Sequence, residues 1–341
     1  MLNTRNEQII AQKGENGYHS FRIPGILPAE NGALLLCCEA RAENAGDWGD
    51  IDVVVWRMEA DGSRRQTLKI GSSHLPPDGT MRTYNNPVLI PDGGERVHLI
   101  YHRNYERAFV VTSADGGRTW GESREITAAY REFPFAWNVC ATGPGHGIRM
   151  RDGRLMASIW LANGAQEGLV RKHWPSAAGC IVSDDHGQTW HAGALAQDAC
   201  IVNGNETTVA QLPDGRLLFN FRNMNPSRRR VLALSENGEQ LGKIWVCDAL
   251  PDPMCFAGQA AGEKGVLFGN CVSEEKRVDA AVKYSKDAGE TWEKIWNVDQ
   301  QAGYIDIAYA NGRVYAFYER YSYENRIVES LVLKESECMA L

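Results

Sequence analysis

The feature that most constrains the fold of this chain is a short motif that recurs along it. Three segments match the pattern S-x-D-x-G-x-T-W, namely SADGGRTW (113–120), SDDHGQTW (183–190) and SKDAGETW (285–292). Two weaker copies that lack the Thr-Trp end, MEADGSRR and SENGEQLG, begin at residues 58 and 235. Successive copies therefore start 55, 70, 52 and 50 residues apart, which indicates one structural unit repeated along the chain.

Each intact copy has the sequence features of a β-hairpin turn. It follows an alternating apolar run (FVVTS, GCIVS or AVKYS) and leads into another polar-apolar stretch. The Asp can accept backbone N–H bonds within the turn, the Gly can take a positive φ, and the Trp can bury its ring between hairpins. The motif resembles the Asp-box of β-propellers, where such turns connect strands and do not by themselves indicate a function.

The repeat length predicts the fold class. Units of about 50 to 60 residues are long enough for four short strands each, and a chain of this length accommodates about six of them. Strand-like runs such as GALLLCCEA, IDVVVWRM and RLLFNFRN dominate the sequence, and long helical patterns are absent. We predict an all-β protein, a six-bladed β-propeller of four-stranded antiparallel blades. Because no low-complexity linker interrupts the chain, residues 1–341 are expected to form a single domain.

Charge and composition exclude some classes of partner. A net charge of −7 and a pI near 5.7 argue against nucleic acid or an anionic membrane surface, so an anionic ligand has to be held by local positive charge. The polar first twelve residues lack the apolar core of a secretory signal, and no run approaches a membrane span, so a cytoplasmic location is expected. The nine cysteines and eight histidines show no metal-ligand spacing, and no metal site is expected.

Three arginines that local structure does not require, Arg22, Arg222 and Arg277, lie in separate short motifs. The first of these motifs is FRIP, at residues 21–24. With this motif and those described below, the sequence resembles the exo-α-sialidases of glycoside hydrolase family 33. The motifs follow the order of that family over nearly the whole chain. The resemblance implies that Arg22 is one of three arginines that bind the substrate carboxylate.

The second match is Cys38-Glu39-Ala40-Arg41, followed by GDWGDID at residues 46–52. The resemblance implies that Arg41 approaches the O4 side of the sugar and that Asp47 is the general acid/base. A general acid must be protonated before it donates, and a mobile, partly apolar loop beside Trp48 would suit a raised pKa for Asp47. The spacing alone leaves Asp50 and Asp52 as alternatives, and it is equally compatible with a solvated acidic loop.

The third match runs from Asn205-Glu206-Thr207-Thr208 through a Pro-Asp-Gly turn to Asn220-Phe221-Arg222-Asn223. The hairpin predicts that Glu206 and Arg222 lie on adjacent strands, near the same end of a blade. The resemblance implies that Arg222 is the second arginine of the carboxylate site. For an isolated Glu and Arg, a cross-strand surface pair is the competing explanation.

The third arginine is Arg277, in the segment RVDAAV just before the last Asp-box. This segment resembles the R-x-N-x-x-V pattern of the family, with Asp279 in place of the usual Asn. The basic run from Arg228 to Arg230 competes with Arg277 by charge alone. It matches no position of the family, and a solvated strand start explains it.

The last match comprises Gly303-Tyr304-Ile305 and Phe317-Tyr318-Glu319-Arg320. The resemblance implies that Tyr304 is the nucleophile and that Glu319 braces the FRIP arginine. Without the order of the family motifs, Tyr304 would be interpreted as a core aromatic residue, and Ile305 replaces the Ser that usually follows it.

These residue types suit one reaction. Guanidiniums present a planar fork to a carboxylate, and three of them can orient a sialic acid in an acidic protein. The same carboxylate would repel an Asp or Glu nucleophile, whereas a neutral phenol avoids repulsion but needs a base, because its unperturbed pKa is about 10. Tyr304 with Glu206 meets this need. The resemblance thus implies a retaining exo-α-sialidase that acts on sialylated oligosaccharides or glycoconjugates, without a metal or an organic cofactor.

Two classes of alternative remain open. The same residues would serve a hydrolase for a related ulosonic acid, such as deaminated sialic acid, or a trans-sialidase. The latter usually needs an aromatic acceptor platform, which the sequence does not locate. The second class is a non-catalytic propeller that binds glycans or proteins, and such a module needs no set of Tyr, Glu and Asp in this order.

Overall fold

A computed structural model of the chain describes residues 1–71, 82–168 and 170–338. These ranges consist mainly of β-strands. Their helical segments are two 3-10 turns, Glu15–Gly17 and Glu30–Gly32, and one short α-helix, α1 (Thr127–Arg131). None of these helices is long and apolar enough to cross a membrane.

Among the described residues, the strands assemble into six blade sheets and one additional two-stranded sheet. The N-terminal strand is β1 (Asn6–Gln12), and the first blade contains β2 (Ser20–Pro28), β3 (Leu34–Arg41), β4 (Ile51–Met58) and β5 (Arg64–Ile70). The second contains β6 (Tyr84–Pro91), β7 (Val97–Arg103), β8 (Arg107–Ser113) and β9 (Arg124–Glu125). The next stretch of the chain contains β10 (Val139–Thr142), β11 (Gly145–His146), β12 (Ile148–Arg149), β13 (Leu155–Ala162), β14 (Gln166–Glu167), β15 (Val170–Arg171), β16 (Ser176–Ser183) and β17 (His191–Leu195). Of these, β10, β13, β16 and β17 form the third blade, and β14 and β15 pair with each other as a separate two-stranded sheet.

The second half of the chain is more regular. The fourth blade contains β18 (Thr207–Gln211), β19 (Leu217–Phe221), β20 (Arg229–Ser235) and β21 (Ile244–Pro251). The fifth contains β22 (Gly258–Ala261), β23 (Val266–Cys271), β24 (Val278–Ser285) and β25 (Glu293–Gln301). The sixth contains β26 (Ile305–Ala310), β27 (Arg313–Ser322) and β28 (Ile327–Glu337), and β1 completes it.

The prediction of an all-β, six-bladed propeller is confirmed. Every blade has an antiparallel four-stranded path, and its strands follow chain order except in the last blade. Two sheets carry a fifth short strand, because β11 adds to β6 in parallel and β12 pairs with β13. The ring closes where the first strand of the first blade, β2, contacts β26 of the sixth blade as well as β6 of the second.

The sixth blade closes the propeller with strands from both ends of the chain. β1 pairs antiparallel with β28, from the pair Asn6 and Glu335 to the pair Gln12 and Ser330. This pairing explains why the repeat has five copies in a six-bladed fold. All five copies lie in the connection between the third and fourth strands of a blade, and in the sixth blade these two strands are not consecutive in the chain.

The Asp-box turns are held by the hydrogen bonds that their sequence allows. In the second intact copy, the amide of Gly187 donates to Ser183 Oγ at 2.8 Å, and Thr189 donates to Asp185 from its amide at 2.7 Å and from its hydroxyl at 2.6 Å. The other two intact copies make the same bonds. The burial of the Trp differs, since Trp190 is buried whereas Trp120 and Trp292 are only partly buried.

The hydrophobic core lies between neighbouring blades. The middle strands of a blade are covered on both faces, and all eight residues of β3 and of β4 are buried. β3 therefore buries two charged residues, Glu39 and Arg41, at the end where the strand leaves the sheet. Buried charges need nearby hydrogen-bond or ion-pair partners, and the partners of these two residues belong to the site described below.

Candidate active site

The residues of the motifs come together on one face of the propeller. Arg22, Glu206 and Tyr304 lie at or just before the start of a first strand, and Arg222 directly follows the second strand of its blade. Because strands alternate in direction, starts of first strands and ends of second strands lie at the same face. The Asp-box turns follow third strands and lie at the opposite face.

This face contains a cavity of about 220 Å³. Six of the eight residues singled out in the sequence line it, and they are Arg22, Asp47, Glu206, Arg222, Arg277 and Tyr304. The other two, Arg41 and Glu319, lie behind this lining and are 1% and 0% exposed. None of the Asp-box residues lines the cavity.

The three arginines surround the ring of Tyr304. The guanidinium carbons of Arg22, Arg277 and Arg222 lie 5.0, 5.1 and 5.9 Å from the centroid of this ring. Arg277 forms no ion pair with a carboxylate among the described residues, whereas the other two each contact a glutamate. The arrangement leaves Arg277 available to an anion that enters the cavity.

Arg222 connects the phenol of Tyr304 to Glu206. Its Nη1 donates to the Tyr304 hydroxyl at 2.7 Å and also contacts Glu206 Oε2. The two backbones are cross-strand neighbours, since the amide of Arg222 donates to the carbonyl of Glu206 at 3.2 Å, as the hairpin predicted. Glu206 and Tyr304 are not hydrogen-bonded to each other in this structure, and the Arg222 guanidinium lies between their oxygens. Burial raises the pKa of Tyr304 well above its usual value, which keeps the phenol neutral.

Glu319 is fully buried on β27 and orients the residues next to it. It accepts hydrogen bonds from Arg22 Nε at 3.0 Å, from the amide of Ile23 at 3.1 Å and from the amide of Tyr304 at 3.1 Å. One carboxylate thus orients a guanidinium and the backbone beside the phenol.

The FRIP segment has an irregular backbone at Ile23. Its φ of 63° lies in the left-handed region, which a β-branched residue rarely adopts, and the register of β2 against β3 shifts between Arg22 and Gly25. The hydrogen bond from Ile23 to Glu319 holds this conformation. The strain is therefore located where it turns Arg22 toward the cavity.

Asp47 differs from the sequence prediction in its electrostatics. Its carboxylate lies 3.1 Å from Arg41 Nη1 and 3.8 Å from Arg22 Nη1, and its side chain is 46% exposed at the cavity. Desolvation opposes ionisation, but the charges of Arg41 and Arg22 outweigh it and lower the pKa of Asp47 to about 2. The expectation of a raised pKa is wrong for the free protein, because the loop places this acid against two cations.

Arg41 lies behind the cavity wall, and its approach to the O4 side of a sugar stays a prediction. Its guanidinium donates to Glu39 at 2.6 Å and to the carbonyl of Ala45 at 2.5 Å, and it supports Asp47 from behind the cavity wall. Of the alternative acids, Asp52 is buried outside the cavity and binds Tyr18 and Lys69. Asp50 does not line the cavity either.

The competing basic run is structural at its only buried member. Arg230 is fully buried and donates to the side chain of Asn220 at 2.6 Å and to Asp252 at 3.3 Å. It holds the fourth blade together and does not line the cavity.

Sequence reasoning missed the aromatic wall of the cavity, which consists of Tyr105, Trp160, His173 and Trp174. The His173 ring lies 4.9 Å from the rings of both Tyr105 and Trp160, and Trp174 is 50% exposed. Trp48 packs behind this wall, 4.8 Å from the ring of Tyr105. These residues come from strands and loops of different blades, and no local motif marks them.

A family model for the BNR repeat-like domain matches residues 32–330, so the chain belongs to this family of repeat propellers. Over 324 residues it is 29% identical to the sialidase of Micromonospora viridifaciens, which covers 84% of this chain and 47% of the relative. The chain thus spans about half the length of that relative.

Solved structures of similar proteins share the fold. A Hadza microbial sialidase superposes with a TM-score of 0.78 at 22% identity, covering 98% of this chain and 68% of the other. The intramolecular trans-sialidase from Ruminococcus gnavus, in complex with oseltamivir carboxylate, gives a TM-score of 0.74 at 14% identity, covering 96% of both chains. Together with the sequence relatives, these likenesses confirm the resemblance to the exo-α-sialidases of glycoside hydrolase family 33.

Proposed function

We propose that this protein is a retaining exo-α-sialidase that removes terminal sialic acid from oligosaccharides or glycoconjugates. The observation that carries the proposal is the convergence of Arg22, Arg222 and Arg277 on the ring of Tyr304 in one cavity. Arg277 has no carboxylate partner among the described residues, and a guanidinium in such a cavity is stabilised by a bound anion. A sugar that carries a carboxylate on its anomeric carbon supplies this anion.

The chemistry follows from the positions of the side chains. The arginines hold the carboxylate, and Tyr304 attacks the anomeric carbon while Glu206 takes its proton. Arg222 donates to the phenol oxygen and contacts Glu206, so it stabilises the negative charge as it moves between these oxygens. Asp47, at the open side of the cavity, protonates the departing glycan and then activates the water that releases the sugar, so two displacements retain the configuration.

The cavity wall supports an N-acylated sugar over its deaminated counterpart. Trp160 is nearly fully buried, and together with Tyr105 it gives the cavity an apolar side that suits an acyl methyl better than a hydroxyl. The proposal therefore favours N-acetylated substrates, and matched aryl sialosides with an acetamido group or a hydroxyl at this carbon would measure the preference.

A fluorogenic sialoside tests the proposal. We expect the wild-type protein to release the fluorophore, Tyr304→Phe to lose this turnover, and Tyr315→Phe, at a core tyrosine that does not line the cavity, to keep it. No turnover by the folded wild-type protein would defeat the proposal and favour a binding module. Equal activity of Tyr304→Phe and the wild type would remove Tyr304 from the chemistry.

Transfer to a second sugar is the other candidate, and Trp174 favours it. This ring lines the cavity and is 50% exposed, so its face is available to a sugar that replaces the leaving group. Incubation of a sialoside donor with lactose separates the two reactions. Sialyllactose as a main product indicates transfer, whereas free sialic acid alone indicates hydrolysis.

A further inference from the structure

The proposed general acid carries no proton in the free protein. Asp47 contacts Arg41 at 3.1 Å and Arg22 at 3.8 Å, and these two charges keep its carboxyl ionised at any pH near neutrality. An ionised carboxylate cannot protonate a leaving glycan. A proton must therefore reach Asp47 after the substrate has entered.

Arg22 couples Asp47 to the carboxylate site. Its guanidinium faces the ring of Tyr304 at 5.0 Å among the cavity arginines, and it is also the nearer of those arginines to Asp47. A substrate carboxylate bound by these arginines shares Arg22 with Asp47. It offsets the positive charge that stabilises the Asp47 anion and adds a like charge close to it. In a medium of effective dielectric about 20, a like charge about 5 Å away raises a carboxyl pKa by about 2.

The other groups around Asp47 do not change charge in this step. Near pH 7, Arg41 stays bonded to the carboxylate of Glu39 at 2.6 Å, which balances its charge. Burial raises the pKa of Glu39, but a proton taken up by Glu39 would also be taken up by an Asp47→Asn variant. Burial lowers the pKa of His173 and raises that of Tyr105 well above its usual value, so both rings are neutral near pH 7. The variable cation at Asp47 is Arg22.

We propose that the carboxylate of the substrate promotes protonation of Asp47, because it occupies Arg22 and thereby favours uptake of a proton from solvent by Asp47. This inference rests on the proposed function. The proton taken up on binding is the one that Asp47 donates to the leaving oxygen, and the water that later attacks returns a proton to Asp47. The free protein thus carries a charged acid, and a carboxylated ligand increases the protonated fraction of Asp47 near neutral pH about a hundredfold.

The test is calorimetric titration with the 2,3-dehydro analogue of sialic acid, which carries the carboxylate and is not turned over. Titrations in two buffers with different ionisation enthalpies give the number of protons taken up. A rise of about 2 from a pKa of about 2 leaves the carboxyl of Asp47 about half protonated at pH 4 in the complex. At pH 4 we therefore expect uptake of about half a proton per analogue, with affinity increasing on acidification from pH 5 to pH 4, and no uptake at pH 8.

Two variants locate the proton. Asp47→Asn should bind the analogue without uptake, whereas Glu43→Gln, an exposed acid of the same loop, should keep the uptake. Binding by the wild type without uptake at pH 4 overturns the inference and leaves the proposed function intact. Uptake that persists in Asp47→Asn also overturns it. Absence of any binding defeats the proposed function itself.

Discussion

Replacement of Glu319 by Gln tests how the site is held together. Glu319 is fully buried and accepts four hydrogen bonds, from Arg22 Nε and Nη2 at 3.0 and 3.4 Å and from the amides of Ile23 and Tyr304 at 3.1 Å each. The Gln side chain has nearly the same shape but one acceptor fewer and no charge. The NH₂ group of the new side chain therefore faces hydrogen-bond donors, from which it cannot accept a bond.

The cost follows from these contacts. Removal of one partner from a buried ion pair destabilises a protein by about 3–5 kcal/mol. Leaving a buried amide without an acceptor costs about 1–3 kcal/mol, and part of this is already contained in the first figure. We therefore expect Glu319→Gln to lower the free energy of unfolding by about 3–5 kcal/mol.

Urea denaturation followed by tryptophan fluorescence measures this loss. The matched control is Glu335→Gln, since Glu335 pairs with Arg313 at 3.3 Å where the side chains are 20% and 48% exposed. A pair of this kind contributes about 0–1 kcal/mol, so the control should unfold almost with the wild type. Equal slopes against urea in all three proteins are required for the comparison.

One result would refute the reasoning. If Glu319→Gln unfolds within about 1 kcal/mol of the wild type at an unchanged slope, then the buried carboxylate is not the partner that holds Arg22 and the backbone of Tyr304. The orientation of the Arg22 guanidinium would then have to come from other contacts, and the strained backbone at Ile23 would need another explanation.

Three further predictions concern other parts of the molecule. Asp47→Ala should lower kcat/KM for a natural sialoside by about 10²–10⁴ but affect kcat/KM for an activated aryl sialoside far less, because an aryl oxide leaves without a proton; equal losses in kcat/KM would contradict the acid role. Arg277→Lys should raise KM about tenfold since the planar fork is lost, whereas Lys276→Ala on the exposed neighbour should not, and an unchanged KM in the first would remove Arg277 from the carboxylate site. Trp190→Ala should cost about 3–5 kcal/mol in urea denaturation and Trp292→Ala clearly less, because only Trp190 is buried; equal losses would show that burial does not set the cost.

The repeat could be read from the sequence because its physics is local. Within eight residues, the side chains of Ser183, Asp185 and Thr189 bond to one another's segment of the turn and to the amide of Gly187, so the pattern alone predicts a hairpin. Five turns at near-regular spacing then predict the blades. The sixth blade has no such turn, and only the pairing of β1 with β28 shows how the ring closes.

The site was predictable only in part. The cross-strand relation of Glu206 and Arg222 followed from one hairpin, and the other positions came from the order of the family motifs. The aromatic wall escaped prediction because Tyr105, Trp160 and His173 are brought together from distant parts of the chain.

The electrostatics of the site depend on the tertiary structure alone. The sequence placed Asp47 beside Trp48 and suggested an apolar surrounding. The fold instead places the carboxylate next to Arg41 and Arg22, and the charges of these two residues outweigh the effect of desolvation and lower the pKa of Asp47 to about 2. A sequence determines hydrogen bonds between residues a few positions apart, and hence the Asp-box turns and the blades. Interactions between charges depend on distances through space, and here only the closed ring of blades decides which residues meet.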